Sequence, residues 1–178
     1  MTNGTLHKSQ TVFTREERLI ANFAALAVLI HVLEAAVPTP LPGMKPGLAN
    51  IVVLIVLLRH GLRAAIWVGL LRVLVGSLII GTFLTPTFIL SLSGAIASVL
   101  VLAATYRWFR PWISPIGYGV ISALAHTGAQ ALVAYALFIP HPAVLNLLPI
   151  LMAAATLLGL FSGILAKTIL LQLPAAKL

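Results

Sequence analysis

The chain has 178 residues, of which 61% are hydrophobic and only 8% charged, and its net charge is +8. A soluble domain carries about 25% charged residues, so this chain cannot cover a water-facing surface with polar atoms, and lipid must be part of its solvent. It contains no cysteine and no aspartate, which excludes disulfides, thiolate metal sites, cysteine catalysis and any Asp-rich diphosphate–magnesium motif.

A bilayer crossing takes roughly 20 apolar residues, so the length allows about six transmembrane helices and no separate soluble domain. Residues 1–18 are polar, with His7, Lys8, Arg15, Glu16, Glu17 and Arg18, and read as an N-terminal cytoplasmic tail rather than a cleaved signal. The first span runs from Leu19 to Val37 and ends at Pro38, Pro40, Pro42 and Gly43. The second, Gly47 to Leu58, is short for a full crossing and is closed by Arg59-His60-Gly61-Leu62-Arg63. The third is Ala64 to Ile80 with Arg72 inside it, followed by a tight turn from Gly81 to Thr87. The fourth is Phe88 to Ala104, followed by Tyr106-Arg107-Trp108-Phe109-Arg110-Pro111-Trp112, which suits a membrane interface. The fifth covers Ile113 to Ile139 and is broken by Pro140-His141-Pro142. The sixth starts at Ala143 and ends near Leu171, so the six-helix domain is 19–171 and residues 172–178 form a second cytoplasmic tail. The expected fold class is an all-α polytopic helical bundle.

The basic residues lie at loop positions spread along the chain, which points to membrane topology rather than to nucleic acid. With the N-terminus inside, the inner segments hold Lys8, Arg15, Arg18, Arg59, Arg63, Arg107, Arg110, Lys167 and Lys177, and the outer loops hold only Lys45. Cytoplasmic loops retain Lys and Arg, so both termini are expected in the cytoplasm.

Polar groups inside apolar spans are expensive, and an ionisable one is a functional candidate. His31 and Glu34 fall in the outer part of the first span, Lys45 and Asn50 at the outer start of the second, and Arg72 near the middle of the third with Ser77 above it. Ser91 and Ser93 lie in the outer part of the fourth span. His126 lies near the middle of the fifth, with Gln130 one turn further out on the same face. These positions gather at and above the midplane, as a pocket open to the outer side would require. Arg72 stays charged and needs an anion. Either Glu34 pairs with it, or it faces an anionic ligand, or it has a structural role in capping helix carbonyls. For His126 and Gln130, interhelical hydrogen bonding and ligand contact are both open. The scattered histidines do not make a metal site. No cofactor and no autonomous ATP hydrolysis or prenyl transfer is expected. Two small-residue pairs stand out: Ala21/Ala25 on the first span, a candidate face for a partner helix, and Gly159/Gly163 on the sixth, expected to pack internally.

Three blocks carry a family resemblance: Lys45-Pro-Gly-Leu-Ala-Asn50, the stretch from Arg72 through Gly76-Ser77 and Gly81-Thr82 to Pro86 and Ser91-Leu-Ser-Gly94, and His126-Thr-Gly128-Ala-Gln130. They resemble the bacterial Gx transporter family, also labelled heptaprenyl diphosphate synthase component I, with Thr127 departing from its His-Asn-x-Gly-Gln pattern. That family in turn resembles the substrate-binding S components of energy-coupling-factor transporters, which have six helices and an outward-facing pocket. The resemblance implies Lys45, Asn50, Arg72, His126 and Gln130 as site residues, with Ala21 and Ala25 facing a transmembrane coupling subunit served by separate ATPases. It also implies an alternative: a non-catalytic membrane subunit in polyprenyl diphosphate or quinone synthesis, or in extracytosolic flavin-based electron transfer.

Overall fold

The computed structural model describes residues 14–36 and 47–173. They form six helices: α1 (Arg15–Ala36), α2 (Leu48–His60), α3 (Leu62–Ile80), α4 (Pro86–Phe109), α5 (Pro115–Val133, prolonged by a π-helical turn over Ala134–Phe138) and α6 (Pro142–Gln172). Lys45, expected near the outer start of the second span, lies outside the described residues.

The helix ends follow from local chemistry. Thr14 and Glu17 close a reciprocal capping box: the Thr14 amide donates to Glu17 Oε2 at 2.8 Å, and the Glu17 amide donates to Thr14 Oγ1 at 3.2 Å. That box moves the start of α1 to Arg15, so the polar residues up to Arg18 are its first turn rather than an irregular tail. Pro86, Pro115 and Pro142 each stand at the first positions of α4, α5 and α6, where a missing N–H costs nothing. Ser114 caps α5 by accepting from the Gly117 amide at 3.2 Å. At the other end of α4 the helix runs past Ala104 to Phe109, carrying the aromatic–basic cluster with it. Trp108 and Trp112 are exposed there, and the Arg110 guanidinium sits 4.9 Å from the Tyr106 ring centre.

Gly61 alone separates α2 from α3, at φ 87°, a conformation that a residue with a Cβ rarely adopts. The reversal brings the starts of α1 and α3 to one end of the bundle, where Arg63 pairs with Glu16 at 3.8 Å. Up-and-down alternation sends Arg15, Arg18, Arg59, Arg63, Arg107, Arg110 and Lys167 to this same end, here termed the basic end.

Five helices, all but α2, are long and apolar enough to cross a membrane. Their outward faces carry exposed Leu29, Leu33, Leu78, Ile79, Leu100 and Leu157, the surface expected of a chain solvated by lipid. The protein is a multi-pass membrane protein. α2 differs from the rest. Every residue from Ile51 to Leu57 is buried, because α1, α3, α5 and α6 all pack around it. A helix apolar on all sides belongs in the centre of a bundle. Its 13 residues span ~20 Å, short of the ~30 Å hydrocarbon core. The second run is therefore a central plug in the basic half and not a full crossing.

The tightest helix contact joins α5 to α6, and glycine makes it possible. A Cβ on Gly163 would stand 2.6 Å from the Ile116 Cα, and one on Gly159 would stand 2.8 Å from the Gly119 carbonyl oxygen. The small-residue pair of α6 thus packs inside the bundle, as its spacing implied. Gly163→Val forces backbone atoms apart and is expected to destabilise the solubilised protein by about 1–3 kcal/mol. Leu157→Ala, on the lipid face, is expected to stay within about 0.5 kcal/mol of the parent. Thermal melts of the two variants in one detergent measure the difference.

Candidate functional site

Above the end of α2 the bundle is hollow. A cavity of about 490 Å³ occupies the half of the molecule opposite the basic end, and all six helices contribute to its wall. α1 supplies His31 and Glu34, and α2 supplies Asn50 next to its N-cap Gly47. Arg72 comes from α3, Ser91 from α4, and His126 and Gln130 from α5. Of the residues singled out in the sequence as a binding set, Glu34, Asn50, Arg72, His126 and Gln130 share this one chamber. The rest of the wall is mostly apolar, and α6 contributes Val144, Leu147, Leu151, Ala155 and Leu158 to it.

Arg72 is the central feature. It is buried, with 7% exposure, and its Nε–H donates to no group among the described residues. Burying an ion costs several kcal/mol unless a partner compensates. The obvious protein partner is engaged elsewhere. The Glu34 carboxylate accepts from the Leu48 amide in the first turn of α2. There it satisfies one of the orphan N–H groups and meets the positive end of the helix dipole. Glu34 acts on Arg72 through space, with no direct ion pair between the two side chains. The direct Glu34–Arg72 pair weighed from the sequence is not formed among the described residues.

The other polar groups are tethered. Asn50 Nδ2 donates to Ser122 Oγ at 3.0 Å, which ties α2 to α5, and Ser122 Oγ donates to the Gly119 carbonyl at 3.0 Å. Gln130 Nε2 and His126 Nε2 lie 3.1 Å apart, so the pair on one face of α5 interacts directly. Ser77 and Ser93 bond back to the carbonyls of Leu74 and Leu90, each at 2.8 Å, as serines in helices commonly do. Ser91 lines the cavity.

Two glycines that the sequence reading left among the motif letters prove to be seats for the histidines. A Cβ on Gly94 would come within 2.8 Å of the His126 ring, and a Cβ on Gly76 within 2.6 Å of the His31 ring. Each imidazole lies against the bare backbone of a neighbouring helix. Nothing in a single sequence pairs Gly94 with His126, because the contact joins positions 32 residues apart. Also unforeseen is the π-helical turn, closed by the Ile139 amide donating to the Ala134 carbonyl at 2.8 Å. Ala134 and Ile139 both border the cavity, and such turns recur at functional sites.

Ala21 and Ala25 are not in this chamber. They are exposed on α1 and line an apolar surface groove with Leu71, Val75 and Ile79 of α3.

Fold and cavity together define a polytopic membrane protein with a polar chamber inside a lipid-facing helical bundle. Residues 23–169 match the family described as Heptaprenyl diphosphate synthase component I, and the chain belongs to that family. Comparisons with curated proteins and with solved structures found no match.

The seat of His126 gives a direct test. Gly94→Ala is expected to destabilise the protein by about 1–3 kcal/mol through overpacking against the imidazole. His126→Ala in the same chain removes the clashing ring, so the double variant is expected to recover most of that loss. Thermal melts of the two single variants and the double variant close the cycle, and strict additivity of the two changes contradicts the contact.

Proposed function

We propose that this chain is a membrane-embedded binding protein for a small anionic solute, working in transport energised by separate subunits. The observation that supports the reading is the buried Arg72 in the wall of the cavity, with its Nε–H lacking an acceptor among the described residues. An anion in the cavity pairs with this guanidinium. Charge-assisted hydrogen bonds of this kind are about twice as strong as neutral ones. Asn50, His126 and Gln130 stand in the same wall to orient the bound group, and Glu34 holds the end of α2 in place. Lys45, on sequence grounds, is assigned to the same set.

Orientation follows from the charge bias. The basic end belongs in the cytoplasm, so both termini are cytoplasmic and the cavity faces outward. The inner membrane of a bacterium is the corresponding location. The chain carries no phosphate-cradling nucleotide loop, so energy for uptake comes from other proteins. Ala21 and Ala25, in their exposed groove, are the assigned contact for a transmembrane coupling subunit.

The family description favours a second reading, a non-catalytic membrane subunit of a polyprenyl diphosphate synthase or of an electron-transfer assembly. Affinity purification from membranes without added solute separates the two. A coupling subunit with ATPases favours transport, and a stable prenyl synthase or flavoprotein partner favours the subunit role.

Binding at Arg72 is tested by native mass spectrometry of gently extracted protein. The parent is expected to carry a small anionic molecule at near-stoichiometric occupancy. Arg72→Ala is expected to lose it, because a hydrogen bond to a charged group contributes about 1.5–3 kcal/mol, roughly 10- to 100-fold in affinity. Leu157→Ala retains it. A parent protein free of any bound anion, prepared under the same mild conditions, contradicts the reading.

A further inference from the structure

The cavity is two-sided. Its charged, imidazole and amide groups come from α1, α2, α3 and α5. Its apolar wall is a stripe along α6: Val144, Leu147, Leu151, Ala155 and Leu158, at the three- and four-residue spacing of a single helix face. The stretch from Val144 to Leu158 rises ~21 Å, which carries the wall from the outer end of the helix well into the bundle. Leu147 is 51% exposed, so the stripe begins at the surface and leads inward.

An inorganic anion does not suit this chamber. A water molecule takes about 30 Å³ of liquid, so an ion a few waters in size fills only a fraction of 490 Å³ and leaves the α6 stripe facing solvent. Covering such a wall is worth roughly 25 cal/mol per Å². Among the described lining residues Arg72 is the one fixed cation, and the Glu34 carboxylate is held at the first turn of α2. The guanidinium is the group there that recognises an anionic head.

We propose, on the anion-binding reading on which this depends, that the ligand is an anionic amphiphile. Its head, a carboxylate or phosphate ester, is held at Arg72, and its apolar chain or ring lies along the α6 stripe. The same chemistry describes a free amphiphilic acid arriving from water and an acidic lipid arriving from the bilayer.

The test uses the full chain in phosphatidylcholine nanodiscs and follows thermal stability while three probes are titrated: octanoate, acetate and 1-octanol. Octanoate is expected to stabilise the protein saturably, whereas acetate and octanol at equal concentration leave it unchanged. In Arg72→Gln the octanoate response is expected to weaken by roughly 10-fold or more. Leu151→Gln, which makes the stripe polar without touching the head site, is expected to weaken it by roughly 10-fold as well. Acetate matching octanoate overturns the amphiphile and leaves the anion site standing. A response to octanol alone, or to none of the three, overturns both. These comparisons are made first on the parent protein, so a variant that fails to fold does not remove the test. Nanodiscs containing phosphatidylglycerol then identify the source. Competition with octanoate supports the proposal with the bilayer as supplier, and an unchanged octanoate midpoint supports it with water as supplier.

Discussion

A helix of 13 residues cannot fill a bundle as thick as a membrane, and the rest of this structure follows from that shortfall. α2 is surrounded by four neighbours and plugs the basic half of the molecule. At and beyond its first turn, described residues of all six helices line the cavity. The end of a helix is a poor thing to leave in apolar surroundings, because its first N–H groups lack intrahelical partners. Glu34 answers that need by reaching across from α1. Arg72 is then left as the cation of the chamber, its Nε–H without an acceptor among the described residues. One short element thus accounts for the cavity and its polar groups.

Much of this was legible from residues. The lipid solvent followed from the scarcity of charge, and the bundle followed from the apolar runs and the prolines between them. Depth along each run was enough to gather Glu34, Asn50, Arg72, His126 and Gln130 toward one half, because alternation of span direction converts sequence position into height. What sequence position does not encode is azimuth. The direction in which Glu34 turns, toward Arg72 or toward the start of α2, depends on where α2 begins, and that is fixed by packing around it. The seats at Gly76 and Gly94 are hidden for the same reason, since each is defined by a ring on another helix. Helix ends shifted by a few residues where capping chemistry competed with hydropathy, most clearly at Thr14 and Glu17.

The glycines divide the structural work. Gly159 and Gly163 draw α6 against α5 in the inner half. That close approach makes α6 a firm wall, so its stripe of branched side chains presents a fixed surface to the cavity further out. Gly76 and Gly94 instead admit side chains, letting two imidazoles approach the backbone of α3 and α4 beside the chamber. The π-helical turn at the end of α5 borders the cavity at Ala134 and Ile139, where the regular ladder of hydrogen bonds gives way. A rigid inner half and a more irregular outer half suit a protein that holds a solute near one face and anchors itself by the other.

The central claim is that the Arg72 guanidinium is kept for a molecule that is not part of the chain. An experimental structure of the protein in lipid nanodiscs, without added ligand, tests it most directly. The account predicts non-protein density against the Arg72 guanidinium, above the first turn of α2 and continuing toward α6. Arg72 swung into a direct ion pair with Glu34, with apolar side chains closing the space, would contradict it.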